Sequence, residues 1–349
     1  MGVTMSQFTI PDKMQAIVVD AYHEQIEDAI SHLRVDIRPV ARPKRGQVLI
    51  RVEAAPCNPS DLLLLTGQYG VRKTLPSVPG WEGAGTVVQS GRGLLGRWLV
   101  GRRVSFGSQA DRDGTWAQFA LAESNICVPL RAAVDIEQGA SLLINPLTAI
   151  GLLEEARRNG HRAGVSTAAA SQLGRMLLEL AREARFPLIH VVRRAEQAEL
   201  LRSLGAEHVL NTELPEFSGQ LRELCARLHA TVAFDAIAGE MSGILLEAMP
   251  PRSTVLVYGL LSGDYCSRIS PVDLLFQGKR IEGFYLGDWV RRRGMIRTLL
   301  AANRVQRMII SGRLHTEVAR RLRFTDLQQG LLDYCKNMTS GKAILTPWT

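Results

Sequence analysis

A chain of 349 residues with 46% hydrophobic content has the length for about two domains and enough apolar mass to give each a core. No apolar run approaches the ~18 residues of a membrane span, Leu62–Leu65 being far too short, and no apolar leader opens the chain. A soluble, cytoplasmic protein with no membrane partner is expected. The five cysteines are scattered without a CxxC pair, which argues against a disulfide or zinc-ribbon framework. The net charge of +8 invites a nucleic-acid reading, but the basic runs (Arg102–Arg103, Arg193–Arg194, Arg291–Arg293, Arg320–Arg323) come without a nucleic-acid motif. Nucleic acid is therefore not expected as the main partner; anionic cofactors and substrates also call for positive charge.

In chain order, the first part reads as short strands broken by Gly and Pro: Met14–Asp20, Gln47–Val52, Gly85–Val88 and Trp116–Leu121. From about Asn145 strands and helices alternate. Val165–Ala169 predicts a strand, Gly174–Arg185 a helix, Leu188–Val192 a strand, and Glu196–Leu204 a helix. A strand at His208–Leu210, a helix at Gly219–Leu228, a strand at Val232–Ile237 and a helix at Met241–Met249 follow. The strands Thr254–Tyr258 and Arg280–Leu286 complete the series, which predicts a parallel, doubly wound sheet with right-handed crossovers. After Gly294 comes a long helix, and Lys342–Leu345 predicts a strand returning to the first domain. The fold class is thus α/β. The apolar strand Thr254–Tyr258 suggests an edge that pairs across a two-fold axis, hence a homodimer.

A doubly wound sheet binds a dinucleotide where its first strand turns into a helix, with the pyrophosphate at the helix N-terminus. That turn is Ala169-Ala170-Ser171-Gln172-Leu173-Gly174, and only its last glycine fits the GxGxxG pattern. Small residues still let a phosphate approach, and Ser171 adds a hydroxyl, although an ordinary strand-to-helix turn reads the same way. One strand later, where an NAD enzyme carries an acidic residue, stand Arg193 and Arg194. Their guanidinium groups suit the 2′-phosphate of NADPH, the alternative being a solvated surface pair. The seven histidines form no pair at i, i+4 spacing, so none suggests a metal site.

Three segments together resemble the medium-chain dehydrogenase/reductase family: Cys57-Asn58-Pro59-Ser60-Asp61, Pro79-Gly80-Trp81-Glu82-Gly83-Ala84-Gly85, and Leu204-Gly205-Ala206-Glu207-His208-Val209. The resemblance implies a GroES-like β-rich catalytic domain over residues 1–143 and 287–349, and a Rossmann domain over 144–286. Zinc members of that family carry a cysteine near Asn58 and a histidine where Trp81 stands, and this chain lacks the four-cysteine lobe as well. It therefore resembles the zinc-free branch, with no metal. Within that branch it is most similar to mitochondrial-type 2-enoyl thioester reductases. Gly67-Gln68-Tyr69-Gly70 resembles a segment whose tyrosine is catalytic, which implies Tyr69. Ile144-Asn145-Pro146-Leu147-Thr148-Ala149 and the Ala170–Gly174 turn imply cofactor contacts from Asn145, Ala170, Ser171, Gln172, Leu173 and Gly174. Val191-Val192-Arg193-Arg194 resembles the segment that reads the 2′-phosphate, and Tyr258-Gly259 one beside the nicotinamide. Gly283-Phe284-Tyr285-Leu286-Gly287-Asp288-Trp289 implies cofactor contacts from Phe284, Tyr285 and Leu286, while Lys342 matches a cofactor-contacting lysine. Asn58, Trp81 and Trp289 are implied to line the substrate pocket.

The implied activity is NADPH-dependent reduction of the C=C bond of a 2-enoyl thioester, the thioester carried on coenzyme A or an acyl-carrier protein. A tyrosine hydroxyl can stabilise charge at the carbonyl oxygen or supply a proton to the α-carbon. Packing under a turn is the ordinary alternative for Tyr69. NADPH:quinone or 2-alkenal reduction is the second expectation on the same fold. A non-catalytic NADPH-binding protein is a third, supported by the eroded glycine pattern.

Overall fold

The computed structural model describes residues 9–109 and 111–349. They divide into two compact units, Met1–Ile144 with Ala302–Thr349, and Asn145–Ala301. The second unit thus reaches Ala301, whereas the sequence set its boundary at 286. The physical reason is local: Phe284 and Trp289 are buried against Gly151, and Arg293 pairs with Glu154, so the segment after 286 stays fastened to that unit.

The first unit is built from antiparallel strands: β1 (Lys13–Val18), β2 (Arg34–Pro39), β3 (Gln47–Pro56), β4 (Glu82–Ser90), β5 (Arg103–Gly107), β6 (Phe119–Glu123) and β7 (Val128–Pro129). Two late strands, β14 (Val318–Leu322) and β15 (Lys342–Leu345), join them. β1 pairs with β2, and the larger sheet runs β14-β15-β3-β4-β5-β7 with β6 also on β3. β3 is the spine, because its run of Val, Leu and Ile is buried on both faces and it is paired by β4, β6 and β15. The core beneath it holds Phe106, Trp116 and Phe119, each at most 1% exposed. The expected strand at Trp116–Leu121 begins at Phe119 instead, since Trp116 donates its backbone N–H to Pro79 in a turn.

The second unit is the expected parallel sheet: β8 (Gly164–Ser166), β9 (Leu188–Val192), β10 (His208–Asn211), β11 (Val232–Asp235), β12 (Thr254–Val257) and β13 (Arg280–Gly283). Their order is β10-β9-β8-β11-β12-β13, so the winding reverses between β8 and β11. That reversal opens a crevice at the carboxyl ends of the strands, where such sheets bind ligands. Thr254–Tyr258 is not the edge the sequence suggested. β12 is bonded to β11 on one side and β13 on the other, so its backbone groups have no pairing left to offer. An unbroken apolar strand is what an interior parallel position requires, and the edge falls to the more polar β13.

One interior residue of this sheet titrates. His190 sits in the centre of β9, 2% exposed, and burial followed by the nearby His208 pushes its pKa down to about 4. The ring is neutral in the folded protein and takes up a proton on unfolding below about pH 6.5, so its contribution to stability is present above 6.5 and is lost as pH falls toward 4. Asp61, raised to about 7 by burial, has the opposite sign: its stabilising contribution is lost as pH rises toward 7. The informative quantity is therefore the difference between wild type and His190→Val. Urea unfolding at pH 7.5 and 5 should show the variant gaining about 2 kcal/mol on wild type at the lower pH. Parallel profiles would mean that His190 is already solvated.

Candidate active site

In the first unit, β3 and β4 bring two short segments together. Pro56 ends β3, and Asn58 caps the helix Pro59–Leu65, where Pro59 fits the first turn and Asp61 completes a capping box. Asp61 accepts from the backbone N–H of Asn58 at 2.7 Å and of Trp81 at 2.9 Å, which ties the helix to the start of β4. Glu82 follows Trp81 and is fully buried. One of its oxygens accepts from Asn58 Nδ2 at 3.1 Å; the other accepts from the backbone N–H of Leu143 at 3.1 Å and Ile144 at 2.9 Å. From β15, Lys342 directs its ammonium onto Asn58 Oδ1 and lies 3.4 Å from the Cys57 carbonyl, which also accepts from Tyr334 at 3.2 Å.

Two carboxyls and one ammonium thus share a space from which water is excluded. Burial raises Glu82, with Lys342 acting against the rise, and lowers Lys342, with Glu82 the chief opposing influence. Asp61 is pushed up to about 7 by burial against its two backbone donors. Beside this cluster lies an aromatic surface. Tyr69 packs on Trp81 with ring centroids 5.1 Å apart, and the Trp81 indole donates to the Ser60 carbonyl at 3.2 Å. Lys73 Nζ stands 5.0 Å from the Trp81 ring and reaches Ser108 and the Arg112 carbonyl; burial lowers its pKa to about 8.

The first unit thus gathers Asn58, Tyr69, Trp81 and Lys342. Lys342, which the sequence links to the cofactor, directs its ammonium to Asn58 and the Cys57 carbonyl. Sequence reasoning did not single out Asp61 or Lys73. Asp61 had a signal, Asn-Pro-x-Asp being a helix start with a capping box. Lys73, in Val71-Arg72-Lys73-Thr74, has none that separates it from a surface lysine.

In the second unit the expected cofactor residues line the carboxyl edge of the parallel sheet. Ala168, just after β8, has φ 45°, a left-handed conformation that turns the chain sharply. Ser171 caps the helix Gln172–Glu183 and accepts from Gly174 N–H at 3.1 Å. A Cβ on Gly174 would lie 2.3 Å from the Ala169 carbonyl oxygen, which explains why this glycine alone remains of the pattern. Ala169 and Ala170 are buried, as is Gln172, while Leu173 is half-buried. After β9, Gln197 accepts from the backbone N–H of both Arg193 and Arg194 at 3.2 Å and holds that turn. The guanidinium of the exposed Arg193 has no ion pair among the described residues, and Arg194 pairs with Glu196 at 2.9 Å. Tyr258 follows β12; its buried hydroxyl has no partner among the described residues, and burial pushes its pKa up. Gly259 lies where a Cβ would meet the Ala236 carbonyl oxygen at 2.6 Å. Asn145 is buried in the first turn of the helix Ile144–Arg158. Phe284 and Trp289 are buried around Gly151, Leu286 is half-buried, and Tyr285 is exposed.

The edge can receive a dinucleotide: a tight turn of small residues, a capped helix N-terminus and an arginine fork stand at successive strand ends. With a β-rich unit that carries a buried acid–base cluster, this defines a two-domain, dinucleotide-dependent class of protein. Comparisons with known proteins agree. Residues 44–132 match the alcohol dehydrogenase GroES-like domain, and residues 173–302 match the family described as zinc-binding dehydrogenase. A candidate NADPH:quinone reductase of known structure from Mesorhizobium loti is 35% identical, covering 97% of this chain and all of that one, with a TM-score of 0.91. A mycobacterial protein solved in complex with NADPH is 26% identical over 96% of this chain and all of its own, with a TM-score of 0.81. The mitochondrial enoyl-[acyl-carrier-protein] reductase of Arabidopsis thaliana is 28% identical over 75% of this chain and 70% of its own. The chain belongs to the medium-chain dehydrogenase/reductase superfamily.

Proposed function

We propose that this protein reduces the activated C=C bond of a 2-enoyl thioester, with Tyr69 as the catalytic donor. The chain is an oxidoreductase that uses NADPH. When bound, NADPH supplies the hydride. The residues assigned to hold it are Asn145, Ala170–Gly174, Arg193, Arg194, Tyr258, Gly259 and Phe284–Leu286, with the arginine fork on the 2′-phosphate. Asn58, Trp81 and Trp289 are assigned to the substrate, carried on coenzyme A or an acyl-carrier protein.

The observation that carries the reading is the position of Tyr69. Its ring is braced on Trp81 beside the buried Asn58–Glu82–Lys342 cluster, on a loop anchored by Tyr69 N–H to the Leu63 carbonyl at 3.0 Å. A phenol so placed donates a hydrogen bond to a carbonyl oxygen on which negative charge grows. Zinc-independence belongs to the same proposal. Where the family's zinc ligands would stand, Asn58 is engaged by Lys342 and Glu82 and Trp81 offers an indole, and a fixed ammonium repels a dication. Quinone reduction is the second reading, favoured by the Mesorhizobium loti relative.

The test is NADPH oxidation at 340 nm with trans-2-enoyl-CoA and small quinones offered in parallel. Enoyl turnover should exceed quinone turnover and fall at least tenfold in Tyr69→Phe, about 1.4 kcal/mol of transition-state stabilisation. Quinone turnover alone, indifferent to Tyr69, would move the assignment to the second reading.

We also place a homodimer contact at β13, the open edge of the parallel sheet, where the preceding helix exposes Leu275 and Phe276. Light scattering should give the mass of two chains for wild type and one for Leu275→Asp with Phe276→Asp. A monomeric wild type would remove the assignment.

A further inference from the structure

The side of the first unit farthest from the acid–base cluster carries an amphipathic surface without a role in the chemistry above. β3 and β4 run antiparallel, with the cluster at Pro56 and Glu82 and the surface at Gln47 and Ser90. Ten residues of β3 separate the two by roughly 30 Å. Beyond Ser90 the chain forms the short helix Leu94–Leu99, between Gly93 at φ +139° and Gly101 at φ +80°. Gly96 and Leu99 anchor it inward, Gly96 close to Ser90 and Val48. Its other face is apolar and open: Leu94 is 86% exposed and Trp98 51%, with Leu95 and Val100 also exposed.

Along the two segments that form this tip the charge is of one sign, and the neighbouring carboxylate of Glu123 is paired with Arg112. Residues 40–47 and 90–103 hold seven Lys and Arg and no Asp or Glu. Pro43–Arg45 and Ser90–Arg92, with Arg97, line a cleft of about 540 Å³. It is held in shape: Gly46 N–H donates to the Arg92 carbonyl and Gly91 N–H to the Gln47 carbonyl, both at 2.9 Å. Gly91 sits where a Cβ would be 1.9 Å from the Lys44 carbonyl oxygen. Arg102 stacks on Trp98 at 4.2 Å and donates to its carbonyl at 2.8 Å. Lys44, Arg45, Arg92 and Arg97 form no ion pair with a carboxylate among the described residues.

We propose that this surface docks the protein on an anionic phospholipid bilayer, with Leu94, Leu95 and Trp98 entering the headgroup layer and the cleft cations meeting lipid phosphates. An exposed tryptophan with exposed leucines, flanked by Arg and Lys, is the composition that seats a protein in the interfacial plane. Two other occupants fit less well. In a second copy, a two-fold contact would set seven cations against seven. An acidic protein helix needs an apolar groove, and the cleft here is lined mainly by Lys and Arg. Peripheral attachment needs no spanning helix, and no helix among the described residues is long and apolar enough to cross a membrane. The inference departs from the sequence expectation of no membrane partner, which addressed spanning segments. The docked protein keeps the acid–base cluster on the far side of the unit, away from the lipid.

The test is co-sedimentation of the full chain with vesicles of phosphatidylcholine alone or with half phosphatidylglycerol, in low salt and in 0.5 M salt. Binding to the anionic vesicles should be at least tenfold tighter than to the neutral ones and should weaken in salt. Leu94→Ser with Trp98→Ser, and separately Arg45→Glu with Arg97→Glu, should each lose at least tenfold in vesicle affinity while keeping NADPH affinity, which reports an intact fold. Equal affinity for both vesicle types overturns the proposal. So does retention of binding in the Leu94–Trp98 variant, which would leave only a polyanion-binding face. A halved mass in that variant would also overturn it, by showing that a second copy covers the tip.

Discussion

Lys342→Met should destabilise the first unit by about 3–5 kcal/mol, the cost of leaving buried carboxyls without their counter-charge. Lys342 is 2% exposed, and its ammonium is the counter-charge to Glu82 and Asp61 in a space without solvent. Methionine fills a similar volume, so the loss comes from charge rather than a cavity. Glu82 would then be neutralised or would draw water inward, and its bonds to Asn58 and to the Leu143 and Ile144 N–H groups would weaken together. The measurement is urea unfolding followed by tryptophan fluorescence, which reports chiefly this unit because Trp81, Trp98, Trp116 and Trp348 lie in it. Adding Glu82→Gln to Lys342→Met should recover part of the loss, since a neutral amide can still accept from the two N–H groups and needs no ammonium. The double-mutant cycle then gives a coupling of about 1–3 kcal/mol. Additive effects would show that Lys342 and Glu82 do not sense each other.

The same cluster marks where the sequence stops being readable. Asn58 and Lys342 are 284 positions apart, and no periodicity relates them; only the antiparallel pairing of β15 with β3 brings them into contact. The parallel sheet was legible because β9 and β12 are apolar except at His190 and Thr254 and almost wholly buried, as an interior parallel strand requires. Its edge was not, since a strand buried on both faces and a sticky edge strand look alike in composition, and pairing alone decides. β2 and β14 escaped notice for the converse reason. In Arg34–Pro39 the apolar Val35 and Ile37 are exposed and Asp36 and Arg38 half-buried, and in Val318–Leu322 three successive residues are exposed, so neither strand has a buried apolar face to announce it. The cofactor turn was half legible: Gly174 was found, while the left-handed residue is Ala168, one position before the segment read as the turn.

That turn gives the other large effect. Gly174→Ala should weaken NADPH binding at least a hundredfold, about 2.7 kcal/mol. The added methyl would stand 2.3 Å from the Ala169 carbonyl oxygen, and that neighbour is backbone, unable to rotate aside. Relief requires the helix Gln172–Glu183 to lift from the end of β8 or the Ala168–Ser171 turn to open. Either movement takes the N–H groups of the first helical turn off the line along which they would meet a pyrophosphate, and breaks the Ser171 cap on Gly174. Isothermal titration with NADPH reads the loss, and the control separates it from a general effect of glycine replacement. Gly219→Ala, within the helix Phe217–Leu228, meets nothing within 4 Å and should stabilise the protein by about 0.5–1 kcal/mol with NADPH affinity unchanged. If Gly174→Ala bound NADPH as wild type does, the pyrophosphate could not rest on this helix terminus. The arginine fork at Arg193 would then have to anchor the cofactor from a different approach.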